Sequence, residues 1–264
     1  KAENALDLDM ALAKKFPYQE MAKNGWVPDT RRAEERTINL RKFFEVARLE
    51  RLNNCKLIPN IACRRLSIGE KADFALISWA QRAKIESRDI DTAPIDLNEL
   101  ENRLPEIRSM TTQEPGVFCQ ELRALLSNCG IALVFLPYIE GSFLHGATFY
   151  DKNKIVIGLT LRGKDADKFW FSLFHEIGHI LLGHLNQKEE IAPDAEAASD
   201  RFAGDTLITP DVYRAFVRQG VFTRESIRGF SKTVGIDPGI VVGRLQKEGH
   251  IEFSWFNDLK TKYE

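Results

Sequence analysis

Five consecutive residues constrain this chain more than any others: His175, Glu176, Ile177, Gly178 and His179 spell HEIGH inside an apolar stretch from Phe169 to Leu185 that reads as a helix. Four residues of helix advance about 400°, so the two histidines share a face one turn apart and can offer ring nitrogens to one metal ion. Glu176 lies about 100° round from His175, poorly placed as a ligand but within reach of a water on that metal. With 5 histidines and 22 glutamates in 264 residues, the expected number of HExxH strings is roughly 0.01, and chance is a poor explanation. The competing reading is a pair of satisfied core histidines. It would leave Glu176 buried among Phe174, Ile177 and Ile180 with no cation to offset the cost.

A catalytic zinc site takes three protein ligands and keeps a fourth position open, so one more ligand must come from elsewhere in the chain. Glu196 is the best candidate. Asp200 follows it by four residues and shares its helix face, where it can accept the outer N–H of a ligand histidine and fix that ring's tautomer. Ala197, Ala198 and Ser199 between them would let this second helix approach the first closely. The competitors are His184, Glu189, Glu190 and Asp194. Glu189 and Glu190 read more simply as a solvated loop, and His184, five residues past His179, points about 140° away from it unless the helix breaks at Gly183.

Charge is balanced, with 37 lysines and arginines against 38 aspartates and glutamates. No basic surplus advertises a nucleic-acid surface. Apolar runs such as Ile131 to Leu136 are far shorter than the roughly 18–20 residues needed to cross a bilayer, and no secretory signal is visible, so a cytoplasmic protein without membrane contact is expected. Cys55, Cys63, Cys119 and Cys129 are too sparse for a disulfide framework and fit reduced thiols. The chain does not open with methionine, which suggests a fragment.

Residues 1–112 read as a helical linker region. Amphipathic runs lie between Ala5 and Asn54, punctuated by Pro17 and by Asn24 to Pro28; a third helix is expected at Glu70 to Ser87, and a fourth from Leu97 to Ile107, which Pro105 should kink or end. Residues 113–264 read as an α+β domain: a helix at Val117 to Ser127, a buried strand at Ile131 to Leu136, and strands at Leu144 to Tyr150 and Lys154 to Leu159 joined through Asp151, Lys152 and Asn153. Residues 223–249 form a helix, turn and helix. The spacing resembles a DNA-reading pair, but the modest number of cations favours a hairpin packed on the core.

Phe174 to Leu182, together with Glu196-Ala197-Ala198-Ser199-Asp200-Arg201-Phe202-Ala203 and the closing Leu207-Ile208-Thr209-Pro210, resembles the ImmA/IrrE family of metallopeptidase domains. Gly146-Ala147 and Phe169-Trp170-Phe171 are also similar to the family, and the resemblance covers roughly residues 115–250. Family members commonly carry a second glutamate where this chain has Ala198. The helical front, at Leu12 to Tyr18 and Lys23 to Pro28, looks like the linker of HigA-like antitoxin regulators, in which a DNA-binding domain comes first. DNA contact is therefore expected only through a domain absent from this chain.

The resemblance implies a zincin-like fold and a zinc-dependent endopeptidase. Its zinc would be held by His175, His179 and Glu196, with Asp200 behind them and Glu176 as the general base. The implied substrate is one specific cytosolic protein, a transcriptional repressor or toxin–antitoxin partner. Tyr213, His145 and Arg162 are the candidates for oxyanion donor, and each reads more simply as structural. The alternative is a non-proteolytic antitoxin or regulator module that binds a toxin or repressor and keeps a structural or vestigial metal site.

Overall fold

The computed structural model describes residues 2–53, 70–139, 146–160, 165–186 and 193–263. The amino-terminal helices are α1 (Ala2–Ala13), α2 (Tyr18–Lys23), α3 (Ala33–Phe43) and α4 (Glu70–Ser87). Pro17 stands at the entry to α2, and Gly25, at φ +70°, turns the chain out of it. In α3, Glu34 and Glu35 occupy the first turn and Arg41 and Lys42 the last, matching the helix dipole at both ends. The bounds of α4 are those expected from its sequence. Cys55 and Cys63 lie outside the described residues, while Cys119 and Cys129 are free thiols.

Next come α5 (Leu97–Ser109) and α6 (Pro115–Asn128). Asp96 caps α5 by accepting from the Glu99 amide, and the helix runs on through Pro105 to Ser109 rather than ending there. Pro105 is exposed, so the carbonyl it cannot satisfy can face solvent. Beyond it Ile107 is fully buried, and Arg108 donates to the carbonyls of Leu207 and Val234, which holds the last turn in place.

The sheet comprises β1 (Ile131–Leu136), β2 (Gly146–Asp151) and β3 (Lys154–Thr160) in the order β1-β3-β2. β3 pairs parallel with β1 and antiparallel with β2. The β2–β3 connection is the expected hairpin turn, with Lys152 at φ +57°; the expected strand start at Leu144 lies outside the described residues. Alternation sorts the side chains to two faces. Val134, Leu136, Ala147, Phe149 and Val156 pack with the amino-terminal helices. Ile131, Leu133, Ile155, Ile157 and Leu159 pack with the helices that follow. Gly158 admits α4 to the first face: a Cβ there would stand 2.6 Å from the Trp79 ring. The second core also takes in Leu100, Ile107 and Met110.

The remaining helices are α7 (Ala166–Leu181), α8 (Pro193–Leu207), α9 (Pro210–Arg218), α10 (Arg224–Val234) and α11 (Pro238–Lys247). α7 is buried on nearly all sides and forms the axis of this half. α10 opens on a Thr223–Ser226 capping box and closes on Gly235 at φ +70°. α11 buries Val241, Val242 and Leu245, packs against α7, and its Arg244 donates to the carbonyls of Gly204 and Ile208. The carboxy-terminal hairpin is thus part of the core. The whole is a mixed α and β fold, mostly helical, and no described helix is long and apolar enough to cross a membrane.

Candidate metal centre

α7 does not continue to Leu185. It ends at Leu181; Gly183 adopts φ +75°, and a short 3-10 turn at His184–Asn186 follows. α8 lies against α7 because Gly178, inside the HEIGH string, has no side chain: a Cβ there would stand 3.1 Å from the Phe202 ring and 3.3 Å from the Ser199 Cα. The close approach anticipated from the small residues of α8 therefore needs a small residue on α7 as well.

This packing brings His175, His179 and Glu196 together. The two histidine Nε2 atoms are 3.0 Å apart, and each lies 3.4 Å from an oxygen of Glu196, Oε2 for His175 and Oε1 for His179. Tetrahedral ligands about 2.05 Å from a zinc ion stand roughly 3.3 Å apart, so the three separations match a shared cation. Glu196 Oε1 is buried and makes no hydrogen bond. His175 Nδ1 is 2.9 Å from Asp200 Oδ1, an arrangement that places a ring proton on Nδ1 and turns Nε2 toward that of His179. Two facing ring nitrogens and an orphaned carboxylate oxygen could hold a cation between them. The same field attracts protons: burial opposes charge on His175, but the hydrogen bonds to Asp200 and Glu196 push its pKa up to about 10. Glu196, despite burial, is held well below the usual carboxylate range by the two histidines.

Glu176 is buried but stands outside this triad. Sheet register explains its surroundings: Thr148 pairs with Ile157 and Gly146 with Leu159, so both project toward α7. The Thr148 hydroxyl donates to Glu176 Oε2 at 2.5 Å, and a Cβ on Gly146 would come within 2.6 Å of Oε1. Burial pushes the Glu176 pKa up, opposed by the two histidines and Thr148.

Two partners of the triad were not foreseen. Lys247, from α11, donates to Asp200 Oδ2 at 3.0 Å. His184 does not point away from His179; the break at Gly183 folds it back so that the two Nδ1 atoms are 3.0 Å apart. No spacing in the sequence could place Lys247 or Thr148. Gly183, a helix-terminating signal, was the one clue to His184.

The other candidates stand elsewhere. Asp194 is exposed, and Tyr213 is buried under the Arg244 guanidinium, 3.9 Å from its ring, away from the cleft lining. His145, Arg162, Glu189 and Glu190 lie outside the described residues. An open cleft of about 1170 Å³ reaches the triad at Gly146, His175 and Glu196 and extends past Phe171 and Lys247 to Phe253.

No protein-family model matches the sequence, and no curated protein matches it at a significant level.

Proposed function

We propose that the chain is a zinc-dependent endopeptidase of the ImmA/IrrE type, with a zincin-like fold, acting in the cytoplasm on one specific protein, a transcriptional repressor or toxin–antitoxin partner. The observation that carries this reading is the facing pair of histidine Nε2 atoms, 3.0 Å apart beside the orphaned Glu196 oxygen, with a separate buried carboxylate next to them. Two imidazoles and one carboxylate suit zinc, and they also suit ferrous iron. Glu176 supports hydrolysis, because a buried base outside the ligand set has a use when water must be deprotonated.

A cation held by the triad supplies Lewis acidity, polarising a peptide carbonyl and lowering the pKa of a water toward neutrality. The chain's own groups do the rest. Thr148 occupies Glu176 Oε2, which leaves Oε1, facing the space beside Gly146, to take the proton. Its raised pKa lets the carboxyl retain that proton until the leaving amine accepts it. Asp200 orients His175, and Lys247 holds Asp200.

The cleft suits an extended polypeptide segment. At its far wall Phe253 is 73% exposed, while its backbone is pinned: Gln246, from α11, donates to the carbonyls of Phe253 and Trp255. A purely structural zinc would want a fourth protein ligand. Among the described residues only His175, His179 and Glu196 converge, and His184 lies behind His179, which favours the catalytic reading over the regulatory one.

The test is amino-terminal labelling of cytosolic extract incubated with zinc-loaded protein. Wild type should generate new termini on very few proteins, and Glu176→Gln should retain zinc and generate none. New termini from both proteins would remove Glu176 from its role. Zinc retention with a captured partner and no cleavage by wild type would establish the regulatory alternative.

A further inference from the structure

His175 and His179 are held from behind by chemically different groups. His175 Nδ1 meets a carboxylate, Asp200, which is itself paired with Lys247. His179 Nδ1 meets another imidazole, His184 Nδ1, at 3.0 Å, with both side chains buried, at 0% and 8% exposure.

We propose that His184 is a positioning residue: as a neutral imidazole it accepts the His179 Nδ1–H and so fixes the tautomer and ring plane that present His179 Nε2 to the cation. The inference rests on the reading that His175, His179 and Glu196 hold a metal. A ligating imidazole has one proton, and with Nε2 committed to the triad that proton sits on Nδ1 and needs an acceptor. His184 Nδ1 is in place to accept, which puts the His184 proton on Nε2. The alternative partner for His184 Nδ1 is the Ser199 hydroxyl, at the longer distance of 3.3 Å.

The geometry requires the chain break after α7. Gly183, at φ +75°, donates to the Ile180 carbonyl and reverses the chain, and buried Leu185 anchors the turn that carries His184. A side chain there would be strained by that backbone conformation.

Charge explains why an imidazole stands where a carboxylate is more usual. Glu176, Glu196 and Asp200 already bring three carboxyl groups to the site, and the Lys247 ammonium is paired with the last of them. A carboxylate at position 184 would add an uncompensated buried charge, whereas a neutral acceptor satisfies His179 without one.

The experiment is a zinc competition titration against a chromophoric chelator, with the metal alone as probe, alongside long-range ¹H–¹⁵N spectra of the imidazoles. His184→Leu should weaken zinc binding by about 10- to 100-fold. His184→Asn, whose amide oxygen can take the place of Nδ1, should restore affinity to within about threefold of wild type. In zinc-loaded wild type the His179 proton should appear on Nδ1 as a slowly exchanging, hydrogen-bonded resonance. A His184 proton on Nδ1 in zinc-loaded wild type, or equal zinc affinity in wild type and His184→Leu, would overturn the proposal while leaving the triad intact. Wild type that binds no zinc would overturn the triad itself. The spectrum of the wild type decides the matter even where a variant fails to fold.

Discussion

The two sides of the sheet each bury acidic side chains, and they treat them in opposite ways. On the amino-terminal side Asp9, fully buried, accepts from Arg41 and Arg48 and from the amides of Leu49 and Glu50. Its charge is answered within the chain, and the node ties α1 and α3 to the turn at Leu49–Asn53. On the other side Glu196 has a buried oxygen without a hydrogen bond, and beside it stand two histidines whose Nε2 atoms converge. Burying a carboxylate is costly wherever it happens. The difference teaches that one cluster is a finished structural joint, whereas the other leaves a carboxylate oxygen and two ring nitrogens that could hold a cation.

The largest effect that could break this contrast is stabilisation by metal. At free zinc about a thousandfold above the dissociation constant, the unfolding free energy should rise by about 4 kcal/mol, read from denaturant melts. Glu196→Ala should abolish that rise, and an Asp9 variant should keep it. Next, Asp9→Ala should lower stability by about 3 kcal/mol, since it strands Arg41 and Arg48, while zinc stoichiometry stays at that of wild type. Loss of zinc in that variant would show that the two sides are not independent.

Acid should sharpen the same contrast. Burial works against the charge of Asp9, yet the Leu49 amide and the two arginines hold its carboxyl below the usual range. A depressed carboxylate contributes stability above its unfolded value, about 3.9, and loses it as pH falls through the folded one. The stability gap between wild type and Asp9→Asn should therefore narrow below about pH 4 in melts taken across the acid range. The smallest effect belongs to Lys247→Met. Because the Lys247 side chain is 55% exposed, its pair with Asp200 should alter zinc affinity by no more than about fivefold in the chelator titration.

How much was legible in the sequence depends on how local the deciding physics is. The bounds of α4 and β1 and the hairpin turn follow from apolar periodicity and turn residues, which act over a few positions. The HEIGH spacing placed His175 and His179 on one face, and the four-residue step from Glu196 to Asp200 placed a candidate ligand and the carboxylate that meets His175 on another; both relations are internal to a helix. Local rules failed where packing overrode them. Pro105 did not end α5, because burial of Ile107 and the Arg108 hydrogen bonds outweigh one missing backbone bond. Tyr213, read more simply as structural, packs against Arg244, a contact between α9 and α11 that no spacing encodes.

By itself the sequence determined which atoms could meet a metal from one helix, since a helix turns by the same angle wherever it occurs. The tertiary structure alone decided what surrounds them. Sheet register aimed Thr148 and Gly146 at Glu176, the absent side chain of Gly178 let α8 bring Glu196 to the histidines, and the reversal at Gly183 set His184 behind His179. Those relations join residues far apart in the chain or across a backbone reversal, and they exist only once the two cores have closed around the sheet.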